Sequence, residues 1–520
     1  MLDFARLHPP EADGQTLIAP SADRWAALVE ASLERRGQQA ITLAGQPLKT
    51  VRDATCRRVW GHAEAPLIVG GHQPALIHAG VWAKYVAMRA VMDHHGWAGG
   101  ELIVDNDAPD GMALKVPCID GRNHVHLCQI SMAPALPHAA YEGQPPLAPE
   151  AIRTIRTETA SCLGTGSRPS DIETYLAGMA DVSGPTDWVD QHLAGRRAID
   201  RSLRVDVPQT RISTAFGGPF LADLLIDAER FAHTYNDALA VYRRDHRVRG
   251  AHRPLPDLAR GGERIETALW IYQPCNPRRR LWIAGRGDRI DLFADAHQVG
   301  TLGVDALKAD ADAALAELTP WVIRPRALTL TLWARLLTCE LFVHGIGGAK
   351  YDRITDRIFT TYYGCDPPPY ACVTATLRLP LPYHPECEGQ LKKVEYQLRD
   401  LNFNPQRYLL DPPEALLAER SRLIEESARL RDQGGSRVER RRVFLALREI
   451  NEQLARTDSR LEAKIRRGYE QLRACGQSNR VARDREFFYA LHPRDRLEKL
   501  ADTVRRAMRG GQRADREALE

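Results

Sequence analysis

The stretch that decides the fold is IVGGHQPALIHAGVWAKYVAMR, Ile68 to Arg89. Leu67, Ile68 and Val69 form an uncharged run of β-formers, Gly70 and Gly71 break it, and from about Val81 apolar residues recur at helical spacing. This order predicts a strand, a tight turn and a helix N-terminus. The first N–H groups of such a helix have no partner within it and carry the positive end of its macrodipole, so phosphate or carboxylate is favoured there. His72, Gln73 and His78 then direct polar groups into the same space, beside Gly71 and Gly80.

The string His78-Ala79-Gly80-Val81 partly resembles the H-x-G-H signature of the nucleotidyltransferase superfamily. There the glycine lets adenine pack on the backbone and both histidines stabilise phosphate charge; here Val81 stands at the second histidine position. The bland alternative is a βα turn with structural glycines and a satisfied histidine.

Moving outward, Glu101 to Asp107, ELIVDND, reads as a second buried strand running into acidic residues, which makes a parallel βαβ unit with a right-handed crossover. Ligands of open α/β sheets sit beyond the carboxyl ends of the strands, where both Gly70-Gly71 and Asp105-Asn106-Asp107 belong. Asp105 and Asp107 are candidates to hold Mg²⁺, to hydrogen-bond a ribose or to act as general base toward an amine; the alternative is capping of the turn. VPCIDGRNHVHLCQI predicts a hairpin, Val116 to Ile119 and His124 to Ile130. His124, His126 and Cys128 share one face of it, but structural zinc draws on wider ligand spacing, so a structural role is preferred and no metal is assigned.

Upstream, Ala22 to Arg36 predicts a helix with Ser21 as N-cap. Downstream, Pro145 to Ala194 reads as helical with breaks at Gly164 to Ser170, Leu221 to Arg244 as an amphipathic helix, and Thr267 to Ala294 as an antiparallel meander. Arg278, Arg279 and Arg280 fall in or next to its first turn, either a solvated loop or reaching an acidic ligand. A second strand-to-glycine turn follows in FVHGIGGAKYD, Phe342 to Asp352, with Gly345, Gly347 and Gly348 opening a helix. It lacks the Gly-Lys-Ser/Thr of a Walker A loop. His344, Lys350 and Arg326 are its candidates to neutralise phosphate or carboxylate, against the plain reading of a surface turn.

From about Glu388 the chain becomes long, charged helix. Leu447, Ile450, Leu454, Leu461, Ile465 and Leu472 give a narrow apolar seam, and Gly434-Gly435 breaks it, predicting a helical hairpin with arms at Pro412 to Gln433 and Ser436 to Leu472. Such a hairpin buries its seam on itself or on a second subunit, so a homodimer is expected. Residues 436–520 hold 22 Lys and Arg against 14 Asp and Glu. The charges alternate in sign along helices, which favours a solvated face over nucleic-acid binding.

The chain of 520 residues is 44% hydrophobic with a net charge of +4, a globular composition. No run approaches the roughly 18 to 20 apolar residues of a membrane span, and the N-terminus lacks a basic region followed by an apolar one, so the cytoplasm is the expected compartment. The ten cysteines contain no C-x-x-C pair, and most are expected to be reduced thiols.

The order of these features resembles the bacillithiol-biosynthesis cysteine-adding enzyme family. The family has a G-Q-Q-P-G-L-F-type turn where this chain has Gly71-His72-Gln73-Pro74-Ala75-Leu76-Ile77, and an E-D-H-D-type strand end at Val104-Asp105-Asn106-Asp107. An R-P-type stretch at Arg324 to Leu328 and a G-G-P-G-E-x-x-Y-type turn at Gly345 to Tyr351 follow, with departures at His72, Val104, Asn106, Ala349 and Lys350. The resemblance implies an α/β fold with a Rossmann-like parallel-sheet core, a small inserted β-containing domain and a C-terminal antiparallel coiled-coil hairpin. The divisions expected are 1–140 and 321–387 for the core halves, 141–320 for the insertion, 388–475 for the hairpin, and 476–520 for a helix packing back.

The function expected is that of a ligase or transferase adding an amine- or thiol-bearing small molecule, such as cysteine, to an acceptor. A nucleotide (ATP or ADP) would bind at the two glycine-rich turns, with Mg²⁺ as a candidate ion. His72, His78, Asp105 and Asp107 are the catalytic candidates; Gly71, Gln73, Gly80, Arg326, His344, Gly345, Gly347, Gly348 and Lys350 are the binding candidates. Nucleotidyl transfer, or a non-catalytic partner or RNA-binding protein using the basic helices, are the alternatives.

Overall fold

A computed structural model describes residues 4–36, 40–64, 66–132, 136, 138–164, 170–182, 184, 187–250, 254–458 and 460–510. The chain forms two compact units. The first comprises Met1–Val116, Gln129–Leu379 and Arg485–Glu520; the second comprises Pro117–Cys128 and Pro380–Asp484.

The first unit is built on a six-stranded mixed sheet. In chain order its strands are β1 (Thr16–Ala19), β2 (Leu67–His72), β3 (Ala98–Ile103), β4 (Gln209–Arg211), β5 (Leu341–His344) and β6 (Tyr370–Ala375). Their spatial order is β1-β6-β5-β2-β3-β4, all neighbours parallel except the antiparallel edge pair β1–β6. Leu67–Val69, Leu341–Val343 and every residue of β6 are buried, the signature of strands covered on both faces. Strand β3 begins at Ala98, ahead of the expected Glu101, and stops at Ile103, so the acidic residues lie beyond it. Gly99 explains the early start: at φ +132°, a Cβ there would stand 1.9 Å from the Ile68 carbonyl oxygen, so only glycine lets β3 lie against β2.

Helix α1 (Ala79–His95) connects β2 to β3, and α2 (Trp188–Ser202) precedes β4. Helix α3 (Ile346–Ile358) follows β5. The meander is present, with strands Arg264–Tyr272, Arg279–Arg286, Arg289–Ala294 and His297–Gly303, but it belongs to the same compact unit as the parallel sheet. Val322–Pro325 pairs with Arg264–Tyr272, so the Arg-Pro stretch expected to open the second half of the core is an edge of the meander. The helix expected over Leu221–Arg244 is two, Gly218–Ile226 and Ala228–Asp245. Ser21 makes no side-chain cap, and the helix it precedes starts as a single 3₁₀ turn before Trp25–Arg36. Helices occupy Pro149–Leu163 and Ile172–Ala180; the break at 165–169 lies outside the described residues.

The second unit holds α4 (Glu386–Phe403), α5 (Glu414–Asp432), α6 (Arg437–Thr457) and α7 (Leu461–Arg483). Helices α5 and α6 run in opposite directions, since Arg442 meets Glu426 and Arg420 meets Asn451. Gly434 turns the chain at φ +70°, and Ser436 with Glu439 forms a capping box on α6. Leu454 of the expected seam is fully buried, but the second arm is broken between Thr457 and Leu461, and α7 packs on α4. The hairpin between Ala113–Ile119 and Val125–Ser131 forms as expected, and within this unit its tip donates the Val125 N–H to the Ser478 hydroxyl at 2.7 Å. Cys118 is bonded to Cys128, which withdraws that sulfur from any metal set with His124 and His126, and Cys387 is bonded to Cys475. Helix α8 (Arg494–Met508), in the first unit, packs on α1. Among the described residues no helix is long and apolar enough to cross a membrane.

Candidate functional site

The loop from His72 to His78 leaves the carboxyl end of β2 and enters α1. His78 is the N-cap: its Nδ1 accepts the Gly80 N–H at 3.0 Å, so the ring proton sits on Nε2. His72 has the opposite tautomer. Its Nδ1 lies 3.0 Å from the Gln73 carbonyl oxygen, which can only accept, so Nδ1 carries the proton and Nε2 is bare. Burial pushes the pKa of both rings down to about 4, helped by Lys84 at His72 and by Arg485 at His78. Near neutral pH the pair is therefore one uncharged base and one uncharged donor.

Both histidines line a cavity of about 380 Å³. Its apolar wall includes Tyr141, Trp188, Phe488, Met112 and Met132, and Lys115, Asp110 and Glu486 supply charges of both signs. Trp188 stacks on Tyr141 at 5.8 Å and on His192 at 4.8 Å, so the first residue of α2 is held flat against the cavity. Phe488 arrives from the segment after the second unit, where the Tyr489 N–H donates to the Ile77 carbonyl at 2.9 Å and pins the loop. Nothing in the local sequence pattern brings Phe488, Trp188 or Tyr141 to the site.

A buried charge network underlies this arrangement. Arg196 on α2 makes two 3.1 Å bonds to Glu101, and Asp200 accepts from Trp82 at 2.9 Å and from Tyr489 at 3.0 Å. Lys84 donates to the Gly71 carbonyl at 2.6 Å. The network ties α2, α1 and the returning segment together under the cavity.

The acidic candidates are committed elsewhere. Asp105 receives Arg211 Nε at 2.7 Å and the Ser213 N–H at 2.9 Å, with the Ser213 hydroxyl on the same carboxylate. Burial raises its pKa against the pull of Arg211 and Ser213. Asp107 receives Gln73 Nε2 and Arg278 Nη1, each at 2.6 Å, so Arg278 is held by a carboxylate of the chain itself. A Mg²⁺ on either carboxylate would have to displace an arginine, so these residues do not fit that ion. Gln73 positions Asp107 and the loop. Arg326 faces the meander, bonded to Glu266 at 2.8 Å and stacked over Trp270 at 4.4 Å.

The second glycine turn is a neighbour of the first in the sheet, since Val343 of β5 stands opposite Gly70 of β2. Its residues do not line the cavity. His344 is buried and bonded through Nε2 to Asp352 at 2.7 Å, and Arg335 reaches the same oxygen at 2.9 Å. Gly348 lies under that imidazole, where a Cβ would approach Nδ1 to 2.5 Å. Gly345 and Gly347 face open space, and Lys350 is half-buried. The start of α3 is therefore open, and its first backbone N–H groups suit a phosphate. Gly71 and Gly80 serve packing: a Cβ on Gly71 would stand 3.2 Å from the Leu102 carbonyl oxygen, and one on Gly80 would stand 2.5 Å from that of Ala375. No family model matches this chain, and no curated protein matches it.

Proposed function

We propose that this chain is an enzyme that joins an amine- or thiol-bearing small molecule to an acceptor, with the cavity beside His72 and His78 as its reaction site. The single observation that carries this reading is the opposed tautomers of two neutral histidines on one cavity. His72 Nε2 takes the proton from the incoming nucleophile as it adds. The His78 Nε2–H donates to the oxygen on which negative charge develops, and its cap to Gly80 holds it in that tautomer. Lys115 orients an anionic group of the substrate, and the aromatic wall excludes water.

A nucleotide, where one is bound, would set its phosphate on the first turn of α3 beside Lys350 and supply an activating or anchoring group. The five-strand parallel run with α1 crossing from β2 to β3 supports a Rossmann-like core, and the α5–α6 pair supports the coiled-coil hairpin. Both support a divergent relative of the cysteine-adding family. A homodimer through the hairpin has support in the exposed Val438, Phe444 and Leu445 of α6.

The test is a thermal-shift panel of ATP, ADP, amino acids and amino sugars, because a ligand that binds only the folded state raises its melting temperature. An amino acid or amino sugar should stabilise the wild type and lose its effect in His72→Ala. Stabilisation by nucleic acid alone would overturn the reading, and pyrophosphate release from a nucleoside triphosphate would replace it with nucleotidyl transfer.

A further inference from the structure

Trp188 brings an unpaired donor to the cavity beside His72 and His78. The side chain is 1% exposed, it lines that cavity, and its indole Nε1–H has no partner among the described residues. An indole offers one donor and no acceptor, so only an oxygen or another acceptor can satisfy it. Buried donors without a partner are costly and uncommon in folded proteins.

The ring is held in one orientation. It stacks on His192 at 4.8 Å and 8° and on Tyr141 at 5.8 Å and 29°, and the Trp188 backbone N–H donates to the Gln144 carbonyl at 3.0 Å. His192 is itself fixed, its Nδ1 2.8 Å from the Tyr175 hydroxyl. With other rings stacked on its faces, Trp188 meets the cavity with its edge, which is where the N–H lies.

The polar groups of the cavity sort by exposure. Asp110, Lys115 and Glu486 are exposed and put charges of both signs at its rim, where water screens them. The sheltered groups are two donors, Trp188 Nε1–H and His78 Nε2–H, and one acceptor, His72 Nε2. Two donors suit a head group with two oxygens, whereas an ammonium would leave both unpaired. Ile77, Val81, Met112, Met132 and Phe488 complete an apolar wall that suits an apolar body.

We propose that the acceptor is a small carboxylic acid with an apolar body, whose carboxylate oxygens accept from Trp188 Nε1–H and His78 Nε2–H. This rests on the reading of the cavity as the reaction site, and it leaves His72 Nε2 for the incoming nucleophile. Hydrogen bonds to a carboxylate are roughly twice as strong as those between neutral groups, which sets an acid apart from an alcohol of the same shape.

Phenylacetate and 2-phenylethanol share a body and differ in the head, so calorimetric titration of the full chain with each reads the head alone. Phenylacetate should bind at least about tenfold more tightly. Trp188→Phe keeps an aromatic ring in the stack and removes the N–H; it should weaken phenylacetate by about tenfold or more and leave 2-phenylethanol unchanged. Failure of phenylacetate to bind, equal affinity for the two heads, or equal losses for both in Trp188→Phe overturns the proposal. The wild-type comparison decides the first two outcomes even where the variant fails to fold. His72→Ala removes only an acceptor and should keep phenylacetate binding. Amine binding that ignores His72 would therefore sink the joining reaction and leave the acid site standing, whereas His72-dependent amine binding without phenylacetate binding would sink the acid site alone.

Discussion

Lys84 reaches from within α1 to the Gly71 carbonyl, a 2.6 Å bond made by an ammonium that is only 1% exposed. Burial, set against the pull of Glu101, lowers its pKa to about 8, so the cation persists at neutral pH and adds to burial in keeping the His72 ring neutral. Lys84→Met should leave the carbonyl unpaired and cost about 1–3 kcal/mol in urea denaturation. It should also raise the His72 pKa, read by NMR. An unchanged urea midpoint together with an unchanged His72 titration would remove Lys84 from the site.

His78 combines two jobs that a single substitution separates. Asparagine caps helices as well as any residue, so His78→Asn should keep α1 capped and the melting temperature close to wild type. It removes the Nε2–H from the cavity, and turnover should fall by about 10²–10³-fold, the usual cost of one oxyanion donor. His78→Ala should lose the cap as well, at about 1 kcal/mol of stability. Equal activity in wild type and His78→Asn would show that His78 acts only as a cap.

The depressed histidines set the acid limb of the stability curve. His72 and His78 titrate at about 4 in the fold and His492 at about 3, whereas an unfolded histidine titrates near 6.5. Above that value neither state binds the proton, and stability is independent of pH through these groups. As pH falls from 6.5 towards 4 the unfolded chain takes up protons that the folded chain refuses. Stability is lost at up to about 1.4 kcal/mol per histidine per pH unit. Urea midpoints measured from pH 7 to pH 4.5 should decline, and less steeply in His78→Asn.

How much of this was legible in the sequence follows from the range of each signal. Leu67–Val69 with Gly70-Gly71 announces a strand and turn because the cause is local, and the same holds for Phe342–Val343 before Gly345. That β2 and β5 are neighbours, which puts the two turns on one sheet edge, is a pairing across the chain that no local pattern encodes. Asp105 looks like an available carboxylate until Arg211 stands beside it, and Asp107 until Arg278 does. Trp188 and Phe488 read as ordinary apolar residues, and only the α2 packing and the returning segment make them walls of a cavity. Cysteine spacing was silent for the same reason, because the Cys387–Cys475 bridge joins positions separated by 88 residues.

The acidic residues after β3 give a graded test. Asp105 is fully buried and accepts from Arg211 and Ser213; Asp105→Asn weakens these charge-assisted bonds while Arg211 keeps Asp187 and Asp190 as partners, and should cost about 1.5–3 kcal/mol. Asp107 is 34% exposed, and Asp107→Ala releases Gln73 and Arg278 at a site water can enter, so the loss should stay near 1 kcal/mol. The ranking matters more than either value: a general base at Asp107 predicts abolished turnover with the fold intact, whereas a positioning role predicts a partial loss. Urea denaturation and turnover of both variants separate these cases, and an Asp105→Asn protein as stable as wild type would refute the buried-pair account.

Glycines make the last comparison, because two of them sit in opposite environments. A Cβ at Gly99 would stand 1.9 Å from the Ile68 carbonyl oxygen, at a backbone angle of φ +132° that other residues avoid. Side-chain repacking cannot relieve a clash with the backbone of the neighbouring strand, so Gly99→Ala should force β3 away from β2, costing more than about 4 kcal/mol and abolishing soluble expression. Gly347 meets nothing within 4 Å and lies in the first turn of α3. Alanine there keeps the backbone N–H groups and should be neutral or stabilising by about 0.5–1 kcal/mol through helix propensity. A bulkier Gly347→Phe should leave the fold intact and weaken any phosphate ligand at this turn, read as a smaller thermal shift with ATP or ADP. A shift equal to that of wild type would place the nucleotide elsewhere.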